Sequence, residues 1–80
     1  MEYQVRINRK STPSFEARND NHAIRRIIRT LQDGGRIYSN ATIITPDGEQ
    51  IDVSYNQAGT VWVRNAQYST RTDWRAQFPG

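Results

Sequence analysis

Polar and apolar positions alternate from the first residues. In "EYQVRINR", residues 2–9, Tyr3, Val5 and Ile7 fall on one side, and Glu2, Gln4, Arg6 and Asn8 on the other. Period two over this length predicts a half-buried strand. "KSTP" supplies turn residues, and "SFEAR" resumes the alternation with Phe15 and Ala17 inward, so residues 2–18 read as a hairpin. The period then changes. Ile24, Ile27, Ile28 and Leu31 recur at i, i+3, i+4 and i+7, the single apolar stripe of an amphipathic helix. Asn19 is placed to cap it, Asp20 sits favourably at the positive end of its dipole, and Gly34 and Gly35 are expected to end it, Gly34 in a left-handed conformation.

Beyond the helix, "RIYSNATIITPDGEQIDVSY" reads as two strands around the turn Pro46-Asp47-Gly48-Glu49. "NQAG" marks another turn and "TVWVRN" a last strand, with Val61 and Val63 opposite Trp62 and Arg64. The order is ββαβββ: an α+β fold with one helix on one face of a mostly antiparallel sheet. Residues 1–65 form the expected domain. Residues 66–80 lack regular periodicity and read as an irregular aromatic tail docked on it, with Thr72 a cap for a short helical turn carrying Trp74 and Phe78. Tyr68, Trp74 and Phe78 are expected to cover the protein's own sheet, including the face of Trp62, or else to meet a partner.

Composition narrows the function more than it identifies it. The 80 residues allow one small core and leave little room for an enclosed active site. There is no cysteine, and the single histidine, His22, offers no metal set by itself. No apolar run has the length of a membrane span or the look of a signal peptide, so a cytoplasmic protein is the expectation. Asp47, Glu49 and Asp52 cluster around a turn, where carboxylates stay solvated, whereas acid–base catalysis needs a carboxylate pair held in a pocket. No nucleophile triad, phosphate loop or metalloprotease motif is present. The chain is therefore expected to be no enzyme and to need no cofactor, metal or small-molecule substrate.

Charge carries the remaining signal. Ten of the eleven basic residues are arginine, Lys10 being the exception. Arginine's planar fork suits carboxylate, phosphate and aromatic faces. Residues 1–40 hold eight basic and four acidic side chains, a balance of +4, and residues 41–80 hold three and four, a balance of −1. On a helical wheel Arg25, Arg29 and Arg26 lie at about 100°, 140° and 200° from Ile24, one outward arc bordered by His22 and Asp33. Arg25, Arg26 and Arg29 are the first candidate contact surface. The sheet face opposite the helix, with Gln4, Arg6, Arg18, Asn40, Thr42, Ser54, Trp62 and Arg64, is the second, anchored by Arg6, Trp62 and Arg64.

The stretch Phe15-Glu16-Ala17-Arg18-Asn19, followed by Ala23, Arg25, Arg26 and Ile27 and later by Gly59 and Trp62, resembles the layout of small phage-encoded anti-CRISPR proteins that inhibit type I systems. In them a strand ending in Glu-Ala leads through a cap into a basic helix, and further strands follow. The resemblance spans about residues 3–64 and implies a non-enzymatic inhibitor in the bacterial host cytoplasm. Such an inhibitor binds a Cas subunit of a Cascade complex and blocks recognition of target DNA. Many anti-CRISPR proteins are acidic DNA mimics, and this basic chain departs from that. Its arginines would meet acidic side chains, or nucleic acid held by the complex. A monomer or weak dimer is expected. The alternative is a small nucleic-acid-binding accessory protein, although the chain has neither a helix-turn-helix nor the aromatic pair of an RNA-recognition sheet.

Overall fold

In the computed structural model, which describes residues 1–79, one helix covers one face of a seven-stranded sheet. The strands are β1 (Glu2–Ile7), β2 (Lys10–Ser11), β3 (Phe15–Glu16), β4 (Tyr38–Ile44), β5 (Gln50–Asn56), β6 (Thr60–Val63) and β7 (Ala66–Ser69); α1 is Asp20–Asp33. Every pairing is antiparallel, in the order β2-β1-β4-β5-β6-β7, and β3 also pairs with β1. The α+β class read from the periodicities is the class observed.

The inward positions are those the alternation picks out. Tyr3, Val5, Ala41, Ile43, Ile51, Val53, Val61 and Val63 are buried against Ala23, Ile24, Ile27, Ile28 and Leu31 of α1. Isoleucine is a mediocre helix former, so the sheet beneath stabilises this helix more than its own propensity does. The start of α1 is fixed from three directions. The Asn19 side chain accepts from the His22 N–H at 2.8 Å, and its carbonyl accepts from the Ala23 N–H at 3.1 Å. The Tyr3 hydroxyl donates to Asp20 Oδ1 at 2.5 Å. At the other end Gly34 stays right-handed at φ −68°, and it is Gly35, at φ +68°, that takes the left-handed conformation expected of Gly34.

The first hairpin turns earlier than expected. Asn8 and Arg9 occupy positive φ, 50° and 68°, between the paired Ile7 and Lys10. Two consecutive left-handed residues give the turn whose twist matches the strands it joins. β1 then pairs Arg6 with Ser11, but Tyr3 with Phe15, so the register slips by one residue across Thr12-Pro13-Ser14. Without this bulge Phe15 would sit opposite Glu2 on the outer face; with it, Phe15 stacks on Tyr3 at 5.9 Å on the helix side.

The C-terminal segment departs most from expectation. Ala66–Ser69 is a sheet strand and no part of an irregular tail, so the sheet does not end at residue 65. Arg64 and Asn65, at φ 51° and 67°, repeat the two-residue turn of Asn8 and Arg9. A 3-10 helix follows at Trp74–Gln77; Asp73 precedes it and makes no side-chain capping bond, and Thr72 instead donates to the Ser69 carbonyl. Trp74 and Phe78 are each 4% exposed, and the Phe78 ring meets Tyr68 edge-on at 4.9 Å. The Asn21 side chain donates to the Pro79 carbonyl at 3.0 Å, which ties this segment to the first turn of α1. The tail completes the core on the helix side and leaves the face of Trp62 open.

Candidate binding surface

The two surfaces expected to carry contacts differ in how far their residues converge. On the open sheet face Arg6 lies opposite Thr42, Thr42 opposite Asp52, and Trp62 between Ser54 and Gln67. Thr42 Oγ1 donates to Asp52 Oδ1 at 3.3 Å, and the Arg64 N–H donates to the Asp52 carbonyl at 3.1 Å. The Arg64 guanidinium, carried on the β6–β7 turn, reaches Glu49 at 3.4 Å. Arg6 and Trp62 are thus separated by β4 and β5, about 14 Å at the usual strand spacing. A carboxylate stands between the two arginines. Arg18 does not join this face: it follows β3, and its charge bears on His22 at the helix start.

On the helix side the residues do converge. α1 and the 3-10 helix enclose a notch of about 170 Å³ lined by His22, Arg25, Arg26, Arg29, Trp74 and Arg75. Its arginines hold distinct positions. Arg26 Nη1 donates to the Glu16 carbonyl at 2.7 Å, and its guanidinium lies 4.8 Å from the centre of the Phe15 ring, so Arg26 is a strut between helix and β3. Arg75 lies over the Trp74 ring at 5.2 Å. Arg25 is half-buried and Arg29 exposed. Among the described residues the ion pairs are Met1–Glu16 and Arg64–Glu49, so Arg25, Arg26, Arg29 and Arg75 face one another without a carboxylate partner.

His22 records this surplus of positive charge. Loss of hydration, then the charges of Arg18, Arg26 and Arg25, hold its imidazole below the ordinary histidine range. Its Nδ1 accepts from the Arg18 backbone N–H at 3.2 Å. That bond assigns the neutral tautomer with the proton on Nε2.

The sequence places Arg25, Arg26, Arg29 and the bordering His22 on one arc, and the structure keeps them there. It does not reveal that Arg26 is committed to the fold, or that Trp74 and Arg75 return to the same arc from fifty residues away. The adjacent Trp-Arg pair was the one local signal, and it gained a place only through the turn of 3-10 helix. The acidic cluster at the β4–β5 turn is as solvated as expected: Asp47, Glu49 and Asp52 are all exposed. No helix among the described residues is long and apolar enough to cross a membrane. No protein-family model matches the sequence, and neither a curated protein nor a solved structure matches it significantly.

Proposed function

We propose that this chain is a non-enzymatic binding protein whose basic helix face engages an acidic protein surface. The observation that carries the reading is the gathering of Arg25, Arg29 and Arg75 around one notch with none of them held in an ion pair among the described residues. Like charges at helical spacing cost a few tenths of a kcal/mol in the free protein. A partner carboxylate removes that cost and gains charge-assisted, two-pronged hydrogen bonds. In the form implied by the anti-CRISPR resemblance, the partner is a Cas subunit of a type I Cascade complex and binding blocks access to target DNA.

The test is capture of Cascade from a lysate of a host with a type I system. The wild-type chain is compared with the double variant Arg25→Ala/Arg29→Ala, which spares the structural Arg26. Capture by the wild type and loss in the folded variant supports the reading. A mobility shift with DNA across graded salt checks the alternative. Tight binding that weakens steeply with salt identifies a nucleic-acid-binding accessory protein instead.

A further inference from the structure

The notch between α1 and the 3-10 helix has features that a merely basic helix face lacks. It is concave and small, about 170 Å³, the room of one head group and its stem. It draws donors from two elements far apart in sequence, Arg25 and Arg29 from the helix and Arg75 from the C-terminal segment. The Arg18 N–H, by occupying Nδ1 of His22, leaves a neutral Nε2–H free to donate, so the imidazole on the wall also offers hydrogen rather than a lone pair. Every polar side chain lining the notch is therefore a donor, and the ligand must supply only acceptors.

We infer that this notch seats a single aspartate or glutamate side chain of the acidic partner, with Arg25, Arg29 and Arg75 as its charged donors and His22 as a neutral one. The inference rests on the binding reading above and adds to it the occupant and the roles of Arg75 and His22. Charge distribution favours a carboxylate over a phosphodiester chain. Asp33 lies one helical turn beyond Arg29, and Asp73 directly precedes Trp74, so acidic groups bound the cluster. A nucleic-acid backbone continues with a charge at every residue and needs a basic groove that tracks it. It would run from this patch onto those carboxylates. Base stacking finds no platform either, because Trp74 is 4% exposed and lies under Arg75.

The test is an NMR titration of the full chain at fixed ionic strength with three probes. They are a twelve-residue peptide of alternating glutamate and serine, a twelve-nucleotide oligothymidylate, and inorganic phosphate. The peptide is expected to move the His22 imidazole and Trp74 indole signals and to raise the His22 pKa. Arg75→Ala is expected to weaken it at least fivefold, and Arg75→Lys to restore it only in part, because the two-pronged geometry is lost; Lys10→Ala serves as the unaffected control. Tighter binding of the oligonucleotide, equal binding of phosphate, or shifts centred on Arg6 and Trp62 each overturn the carboxylate notch. If Arg75→Ala leaves Cascade capture intact while Arg25→Ala/Arg29→Ala abolishes it, the notch is wrong and the wider helix-face reading stands.

Discussion

The Tyr3 hydroxyl, on the first strand, donates to the Asp20 carboxylate in the first turn of the helix, joining groups seventeen residues apart at 2.5 Å. Burial, and then this bond to Asp20, push the Tyr3 phenol up to about 12 from its ordinary 10.0. The unfolded chain releases this proton first. The stabilisation is therefore complete below pH 10 and is lost as pH rises through about 12. Tyr3→Phe should cost about 1–2 kcal/mol in urea unfolding at pH 7. It should also lack the part of the alkaline decline that belongs to Tyr3, which unfolding at pH 11 reads directly.

Arg26 and Arg29 are neighbours on one arc with opposite expected responses. Arg26→Ala removes a 2.7 Å bond to the Glu16 carbonyl and a cation over Phe15, and should destabilise by about 1–2 kcal/mol. Arg29→Ala removes repulsion and breaks no side-chain hydrogen bond or ion pair among the described residues, so its stability should stay within about 0.5 kcal/mol of wild type. Thermal unfolding of the two variants side by side decides this. Equal losses would show that Arg26 is no strut.

Acid should lower stability through His22 as alkali does through Tyr3, because the two pKa shifts are opposite in direction. Its pKa is lowered in the folded state, so the unfolded chain takes up the proton first and stability declines as pH falls below the ordinary 6.5. The groups facing it are the charges of Arg18, Arg26 and Arg25, and protonation also removes the Nδ1 acceptor from the Arg18 N–H. Urea midpoints at pH 7.5 and 5.0 should fall further for the wild type than for His22→Gln.

Trp74 belongs to the core although it lies in the last turn of the chain. Trp74→Ala should cost about 3–5 kcal/mol, enough to unfold much of a domain this small. Trp74→Phe should keep the fold with a smaller loss. Hydrogen exchange at the α1 amides provides the readout, because the segment is tied to the helix through Asn21.

Glycine 59 and glycine 35 separate steric need from mere preference. Gly59 has φ +94°, and a Cβ there would stand 3.0 Å from Thr70 Oγ1, so Gly59→Ala should destabilise by about 1–3 kcal/mol. Gly35, at φ +68° with open space around it, should accept asparagine with little loss in Tm.

The strands β1, β4, β5 and β6 and the helix were legible because each buries one face over several residues, and the buried residues set the period. Segment 66–69 hid because Ala66, Gln67 and Ser69 are exposed on a short edge strand, with only Tyr68 turned partly inward. The turns at Asn8-Arg9 and Arg64-Asn65 hid because arginine rarely adopts positive φ, whereas Gly48 and Gly59 announced theirs. Of the helix surface, the arc could be drawn from spacing alone. Which arginine was spoken for could not, since the Phe15 and Glu16 partners of Arg26 depend on strand register.

That register hangs on a single surplus residue between Ser11 and Phe15. Removing any one of Thr12, Pro13 or Ser14 would restore continuous pairing and look, in an aligned sequence, like a trivial gap. Its effect would be to remove a choice of parity: in the present chain, continuous pairing from Ser11 would set Ser14 against Tyr3, turn Phe15 to the outer face and strip Arg26 of its stacking ring, whereas in the shortened chain the same continuous pairing sets Phe15 against Tyr3. The surplus residue thus leaves open a second register in which the Arg26 guanidinium is freed, and one deletion in a surface loop would close it without changing an arginine. A chain one residue shorter in this loop should therefore hold Arg26 on Phe15 in a single register.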